Sequence, residues 1–242
     1  MKFPRRAPFG YALLDCAGGR QDRRDKPLLR LAVFDLDGTL KQAPSPWQYL
    51  HERLGLWDQA LVHKRWFQAG RIDAAQSARL DAALRAGIER ATVEELFRQD
   101  PYRPGAREVV AFLGERGVPT VIISSGLAIH AELVAQELGI HRVWAIELVV
   151  RDGRLTDKVV LNVTEDSKEE LVRALRAEFG AFPQECLALG DGSADVDLFA
   201  QAGLSVAVCP LSERVQAAAN VVIEDGDLHP VIELVQEHFR VG

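Results

Sequence analysis

The chain has only three cysteines in 242 residues, Cys16, Cys186 and Cys209. An odd number without paired spacing excludes a disulfide framework. Cys186 and Cys209 also fall inside apolar, strand-like runs, so all three read as reduced thiols. No apolar run reaches the ~18 residues a membrane-spanning helix needs. The apolar stretch after Arg5 and Arg6 is short and contains Asp15, which does not fit a secretory leader, so a cytoplasmic location is expected. There is no excess of positive charge either. Lys and Arg number 29 against 35 Asp and Glu, a net charge of −6, which argues against nucleic acid as the main partner. A G-x-G-x-x-G dinucleotide loop is also lacking, because Gly190-Asp191-Gly192 does not have that spacing. His51, His63, His130 and His141 show no metal-ligand spacing. What remains is a chain with 48% hydrophobic and 26% charged residues. It is long enough for one large α/β domain, or for a core with a smaller insert.

Short apolar runs occur at 31–34, 118–123, 186–189, 205–208 and 221–223, separated by helix-like segments. The alternation predicts an α/β fold with a doubly wound, mostly parallel sheet. Residues 1–28, rich in Arg, Gly and Asp, read as an N-terminal extension, a mobile arm, with polyanion binding as the sharper alternative. Residues 42–102 contain no convincing strand. Ser45-Pro46-Trp47-Gln48 predicts a helix start with a capping box, and Trp47, Leu50, Leu54 and Trp57 recur at helical spacing. Helix-prone sequence then continues to about Arg98, giving a helical insert at 42–102 within a core of 29–41 and 103–242. Further on, a helix is expected over Ala106–Glu115, a strand over Val118–Ile123 and a hairpin over 146–156 with Asp152-Gly153 at its turn. Ser167-Lys168-Glu169-Glu170 reads as a second capping-box start.

The chemistry concentrates where the apolar runs end. Leu31–Phe34 leads into Asp35 and Asp37, followed by Gly38-Thr39. The second run leads into Ser124-Ser125-Gly126, and Cys186–Leu189 into Gly190-Asp191 with Asp195 four residues on. In a parallel sheet these ends share one edge, where ligands of open α/β sheets bind. Each residue suits phosphoryl transfer. Asp35 is the expected nucleophile, forming an aspartyl-phosphate. Asp37, its acidity weakened by neighbouring carboxylates, would protonate the leaving oxygen and then activate water. Ser124 and the backbone N–H groups of Ser125 and Gly126 would cradle phosphate oxygens, and Lys168 would neutralise charge. Asp35, Asp191 and the backbone carbonyl of Asp37 would hold Mg²⁺, with Asp195 orienting Lys168 or metal-bound water from behind.

The segments Asp35-Leu36-Asp37-Gly38-Thr39, the strand ending in Ser124, Lys168, and Gly190-Asp191-Gly192 with Asp195 resemble, in order, the four motifs of the haloacid dehalogenase superfamily. The second Asp of the first motif is similar to that of its phosphatase branch. The insert between motifs one and two resembles a C1 cap. The segment from Ile122 to Val208 resembles the phosphoserine phosphatase-like members. The resemblance implies a Mg²⁺-dependent phosphomonoesterase acting on a small phosphorylated metabolite, with phosphoserine phosphatase proper or a phosphotransferase as alternatives and a low-turnover phosphate-binding regulator behind them. It leaves the oligomeric state open. Three departures bear on the substrate. Ala194 stands where phosphoserine phosphatases usually carry Asn. Pro44 stands where an acidic residue meets the substrate amine, and Asp81, with Arg79 nearby, stands where an arginine meets the substrate carboxylate. Trp47, Trp57, Trp66 and Phe67 read first as packing residues, with an apolar pocket as the alternative reading. Arg65, Arg71, Arg79 and Arg85 read as solvated.

Overall fold

The run Leu31–Phe34 (β2) is buried at every residue, and a strand of that kind needs cover on both faces. In the computed structural model, which describes residues 26–164 and 167–242 together with the backbone of Tyr11–Leu13, β2 is a central strand of an eight-stranded sheet. The first strand is Tyr11–Leu13 (β1), and the others are Thr120–Leu127 (β3), Arg142–Arg151 (β4), Arg154–Val160 (β5), Cys186–Gly190 (β6), Leu204–Val208 (β7) and Val221–Ile223 (β8). Their order is β1-β8-β7-β6-β2-β3-β4-β5, parallel from β8 to β4 and antiparallel at both edges. From β2 the chain builds outward through β3 and β4, then returns to the other side of β2 with β6 and builds outward again. The reversal falls between β2 and β6, so the loops after these two strands part and leave a crevice.

Alternation along the strands divides the core. Ala32 and Phe34 join Ile122, Leu187 and Leu189 on the face covered by helices Ala106–Gly114 (α5), Ala128–Leu138 (α6) and Pro230–His238 (α10). Leu31 and Val33 join Val121, Ile123 and Ala188 beneath Lys168–Phe179 (α7), Asp195–Phe199 (α8) and Glu213–Ala218 (α9). Among the described residues no helix is long and apolar enough to cross a membrane.

Between β2 and α5 lie four helices, Pro46–Arg53 (α1), Trp57–Gln68 (α2), Ala74–Leu84 (α3) and Arg90–Arg98 (α4). They share an apolar cluster with the β4–β5 hairpin, including Tyr49, Leu50, Val93, Phe97, Leu148 and Leu155. Backbone bonds add to the grip, with Gly87 N–H donating to Leu155 O and Leu155 N–H to Ile88 O, both at 2.8 Å. The strands entering and leaving the helical segment run side by side, because Gln42 N–H donates to Pro101 O and Ala43 N–H to the Asp100 carboxylate.

Several local expectations change. The Ser45 hydroxyl does cap α1 by accepting from Gln48 N–H, but the Gln48 side chain reaches forward to Glu52 instead of completing a box. Ser167 makes no side-chain cap on α7; its hydroxyl folds back onto the Thr164 backbone. The one reciprocal box in the helical segment is Asp73 with Gln76. The hairpin turns at Asp152-Gly153, both with positive φ, but its first strand begins at Arg142 because residues 142–146 first pair with β3. Most of the N-terminal arm, including Cys16, lies outside the described residues. Where the chain is described, β1 pairs with β8 and Leu29 N–H donates to Arg240 O.

Candidate active site

β2 and β6 deliver four carboxylates to the crevice. Asp35 and Asp37 follow β2, Asp191 follows β6, and Asp195 opens α8. Each is no more than 6% exposed. Lys168, at the first turn of α7 and 1% exposed, sits among them with its Nζ 2.7 Å from both Asp35 Oδ1 and Asp195 Oδ1. A lysine at a helix N-terminus opposes the helix dipole, and these two carboxylates more than offset that. The other Asp195 oxygen accepts from the backbone N–H groups of Asp191 and Gly192 at 3.0 and 2.9 Å. Asp195 therefore ties the loop after β6 to Lys168 and has no oxygen left over.

Glycine allows the close approach at two points. Gly38 has φ +86°, and a Cβ there would lie 2.1 Å from Asp191 Oδ2. A Cβ on Gly126 would lie 2.2 Å from Asp37 Oδ2. Gly126 belongs to Ser124-Ser125-Gly126, which falls in β3 at an irregularity in the β3–β4 register between Ile123 and Leu127. The Gly126 N–H donates to Ser124 Oγ at 2.9 Å, and that hydroxyl donates to Asp37 Oδ2 at 3.1 Å. In this arrangement the Gly126 donor is turned onto its own motif. The cleft, about 190 Å³, is lined by the candidate residues Asp35, Asp37, Ser124, Ser125, Gly126, Lys168, Asp191 and Asp195, with Pro44 and Ala194 at its wall.

Burial raises the Asp35 carboxyl, Lys168 lowers it, and Asp195 and Asp37 raise it again, leaving it above the ordinary range. Burial and then the Asp35 and Asp195 charges push Asp191 up as well. For Lys168, burial opposes the charged form, but Asp195 and Asp35 outweigh it and hold the ammonium above the usual lysine value. With a charged lysine 2.7 Å away, the ionised form of Asp35 is the one its partner selects. Oxygens of Asp35, Asp191 and Asp195 lie within 4.8 Å of one another. Both Asp195 oxygens are committed, Asp35 gives Oδ1 to Lys168 and accepts from Thr39 Oγ1 at 3.3 Å on Oδ2, and Asp191 has no side-chain hydrogen bond among the described residues. Buried hard-oxygen donors with unbalanced negative charge fit a divalent cation such as Mg²⁺.

One neighbour of this site escaped sequence reading. His130, on α6 and 1% exposed, has Nδ1 3.0 Å from Asp37 Oδ1, so its Nδ1–H tautomer donates there. Phe97 of α4 stacks on the imidazole at 4.3 Å between centroids and 7° between planes. The far nitrogen faces Asp100 Oδ2 at 3.7 Å, beyond hydrogen-bond reach, and both atoms lack partners among the described residues. Asp100 is also the acceptor for Ala43 N–H, so His130 stands between the acid Asp37 and the base of the helical segment. The only sequence signal was its place one turn into the helix after Ser124. The arginines divide too. Arg65, Arg71 and Arg79 are exposed as expected, whereas Arg85 is fully buried, its guanidinium 4.5 Å from the Trp47 ring centre and its three nitrogens without partners among the described residues. Trp66 is 38% exposed and lies outside the cavity that Trp47, Trp57 and Phe67 line.

A family model described as haloacid dehalogenase-like hydrolase matches residues 32–200. The phosphoserine phosphatase of Streptococcus thermophilus is 31% identical over 208 residues, 86% of this chain and 96% of that protein. That of Methanocaldococcus jannaschii is 26% identical over 208 residues, 86% and 98% of the two chains. A solved phosphoserine phosphatase carrying an analogue of its phospho-aspartyl intermediate superposes with a TM-score of 0.73 at 25% identity, covering 86% of this chain and 99% of that one.

Proposed function

Because the chain belongs to the haloacid dehalogenase-like hydrolases, we propose that it is a Mg²⁺-dependent phosphomonoesterase acting on a small phosphorylated metabolite through an aspartyl-phosphate on Asp35. The observation that carries this reading is Lys168, buried and bonded at once to Asp35 and Asp195, where two strand ends bring Asp37 and Asp191 alongside. A buried lysine beside one carboxylate is a structural ion pair. Here it stands among four carboxylates lining an open cleft, an arrangement whose excess negative charge suits a bound cation that could in turn receive a phosphate.

A carboxylate oxygen of Asp35 attacks phosphorus, the bond from phosphorus to the ester oxygen breaks, and Asp37 gives its proton to the departing alkoxide. Water then attacks the phosphorus of the aspartyl-phosphate while Asp37 takes its proton. The bond to Asp35 breaks, and orthophosphate leaves. Lys168 stabilises charge on the phosphoryl oxygens and on Asp35, and Asp195 fixes its ammonium. Ser124 and His130 hold the two oxygens of Asp37, so that its carboxyl addresses the leaving group in one orientation. Displacement of the Ser124 hydroxyl by substrate would free the Gly126 N–H for a phosphate oxygen. Mg²⁺ held by Asp35, Asp191 and the Asp37 carbonyl would supply charge neutralisation at phosphate. Residues 42–102 would act as a cap over the core of 29–41 and 103–242, admitting substrate when open and excluding bulk water when closed.

The relatives named as phosphoserine phosphatases support the reaction class. Pro44 at the cleft wall and Asp81 in the cap separate this chain from their expected substrate contacts. The test is orthophosphate release from an aryl phosphate with added Mg²⁺. Turnover abolished by Asp35→Asn is expected, and turnover that survives it removes Asp35 from the nucleophile's role.

A further inference from the structure

A second cavity, of about 330 Å³, opens off the catalytic cleft, and Ser45, Trp47 and Ser125 line both. Its continuity with the cleft makes it the space available to whatever is esterified to the phosphate. Its walls are aromatic, Trp47, Trp57 and Phe67, and its cap side is kept wide by small residues, Ala60, Ala74 and Ala78. Ile146, Leu161 and Val163 close the core side.

Its lining carries two charged side chains, Lys64 and Asp81. Lys64 Nζ donates to Gln48 Oε1 at 3.1 Å and lies 5.3 Å from the Trp57 ring centre, and Asp81 Oδ1 is 2.8 Å from His63 Nδ1. The ammonium of an amino-acid zwitterion would have to compete with His63 for Asp81 or stay unmatched among indole and methyl groups, which is costly, and only Lys64, bonded to a neutral amide, could meet its carboxylate. A flat ring meets no such cost. The Arg85 guanidinium backs the Trp47 ring at 4.5 Å, and aromatic walls accept a ring by stacking. An apolar cavity of roughly 150 Å³ holds a benzene ring, so this one has room for about two fused rings.

From the cavity's walls and its opening onto the cleft, we propose that the preferred substrate is the phosphate monoester of a flat, mainly apolar ring alcohol, one or two rings across, rather than of an amino acid. The inference rests on the phosphomonoesterase reading and goes beyond it in assigning the alcohol.

The test compares naphthylmethyl phosphate, n-propyl phosphate and phosphoserine, all esters of primary alcohols, with acetyl phosphate as a small reactive control. Burying the naphthyl surface should raise kcat/KM over n-propyl phosphate by roughly 100-fold. Ala74→Trp, a filling change at an exposed cap position, should cut that preference to within about 3-fold. Naphthylmethyl phosphonate, which cannot be hydrolysed, should quench tryptophan fluorescence in the wild type and lose affinity in Ala74→Trp. Equal rates for the naphthylmethyl and propyl esters, a preference for phosphoserine, or an unchanged preference in Ala74→Trp would each overturn the inference while the phosphatase reading stands. No turnover of any ester or of acetyl phosphate would instead overturn the phosphatase reading and the inference with it.

Discussion

Replacing Lys168 with Met keeps most of its volume and removes its charge. The wild-type ammonium is 1% exposed and bonded at 2.7 Å to two carboxylates. Its removal leaves Asp35 and Asp195 buried, within 4.8 Å of each other and of Asp191. Breaking a buried pair of this kind costs about 3–5 kcal/mol. For a chain of this size that lowers Tm by roughly 6–20 °C. The loss also carries a sign in pH. Burial already places Asp35 and Asp191 above the ordinary carboxylate range, and loss of the ammonium raises Asp35 further. Between the ordinary and raised values the folded variant binds more protons than the unfolded chain, so its stability increases as pH falls. Urea unfolding of metal-free wild type and Lys168→Met, from pH 8 to pH 5, should give a gap that narrows by about 1–2 kcal/mol on acidification. A loss below about 1 kcal/mol, or a gap that widens toward pH 5, refutes the claim that Lys168 is the partner on which these acids depend.

Three other perturbations separate positioning from packing. His130→Leu should lower kcat by about 10- to 100-fold, because Asp37 loses a buried donor; KM should stay nearly unchanged, and His130→Asn, which keeps an N–H, should recover part of the rate. Burial and then Arg85 push the His51 imidazole from 6.5 down to about 4, so below 6.5 the unfolded chain takes a proton that the folded one refuses. Stability should therefore fall from that pH toward 4 by up to ~3 kcal/mol, and His51→Gln should remove that part of the slope in acid-unfolding curves. Arg85→Met exchanges a buried, unpartnered guanidinium for an apolar chain and should leave thermal stability unchanged or raise it by about 1–3 kcal/mol, while loosening Trp47 and raising KM for ring esters.

The five apolar runs of the sequence all became strands of the sheet, and the residues after three of them, Asp35, Ser124 and Asp191, met in one cleft. Those features were legible because they are local, each being an apolar run interrupted by acids, serines or glycine. β4 was read only in part, since Arg142–Arg151 serves the parallel sheet with one half and the hairpin with the other, and its mixed burial hides its length. The Ser167 box failed because Ser167 bonds backward to Thr164, a choice no spacing rule detects. His130 and Asp37 are 93 residues apart, and Trp47 of α1 is packed by Arg85, just past the end of α3. Such contacts depend on how elements distant in sequence pack together. Trp47, Trp57 and Phe67 therefore looked the same as Trp66 in sequence, although three line a cavity and Trp66 does not.

The central claim is a covalent phosphoryl group on Asp35. The most direct measurement mixes enzyme, Mg²⁺ and a phosphorus-labelled monoester, quenches in acid within the first turnovers, and maps the labelled peptide. Label on Asp35 in the wild type, absent from Asp35→Asn, is the predicted result. Label on another residue, or continued turnover by Asp35→Asn, would contradict the account.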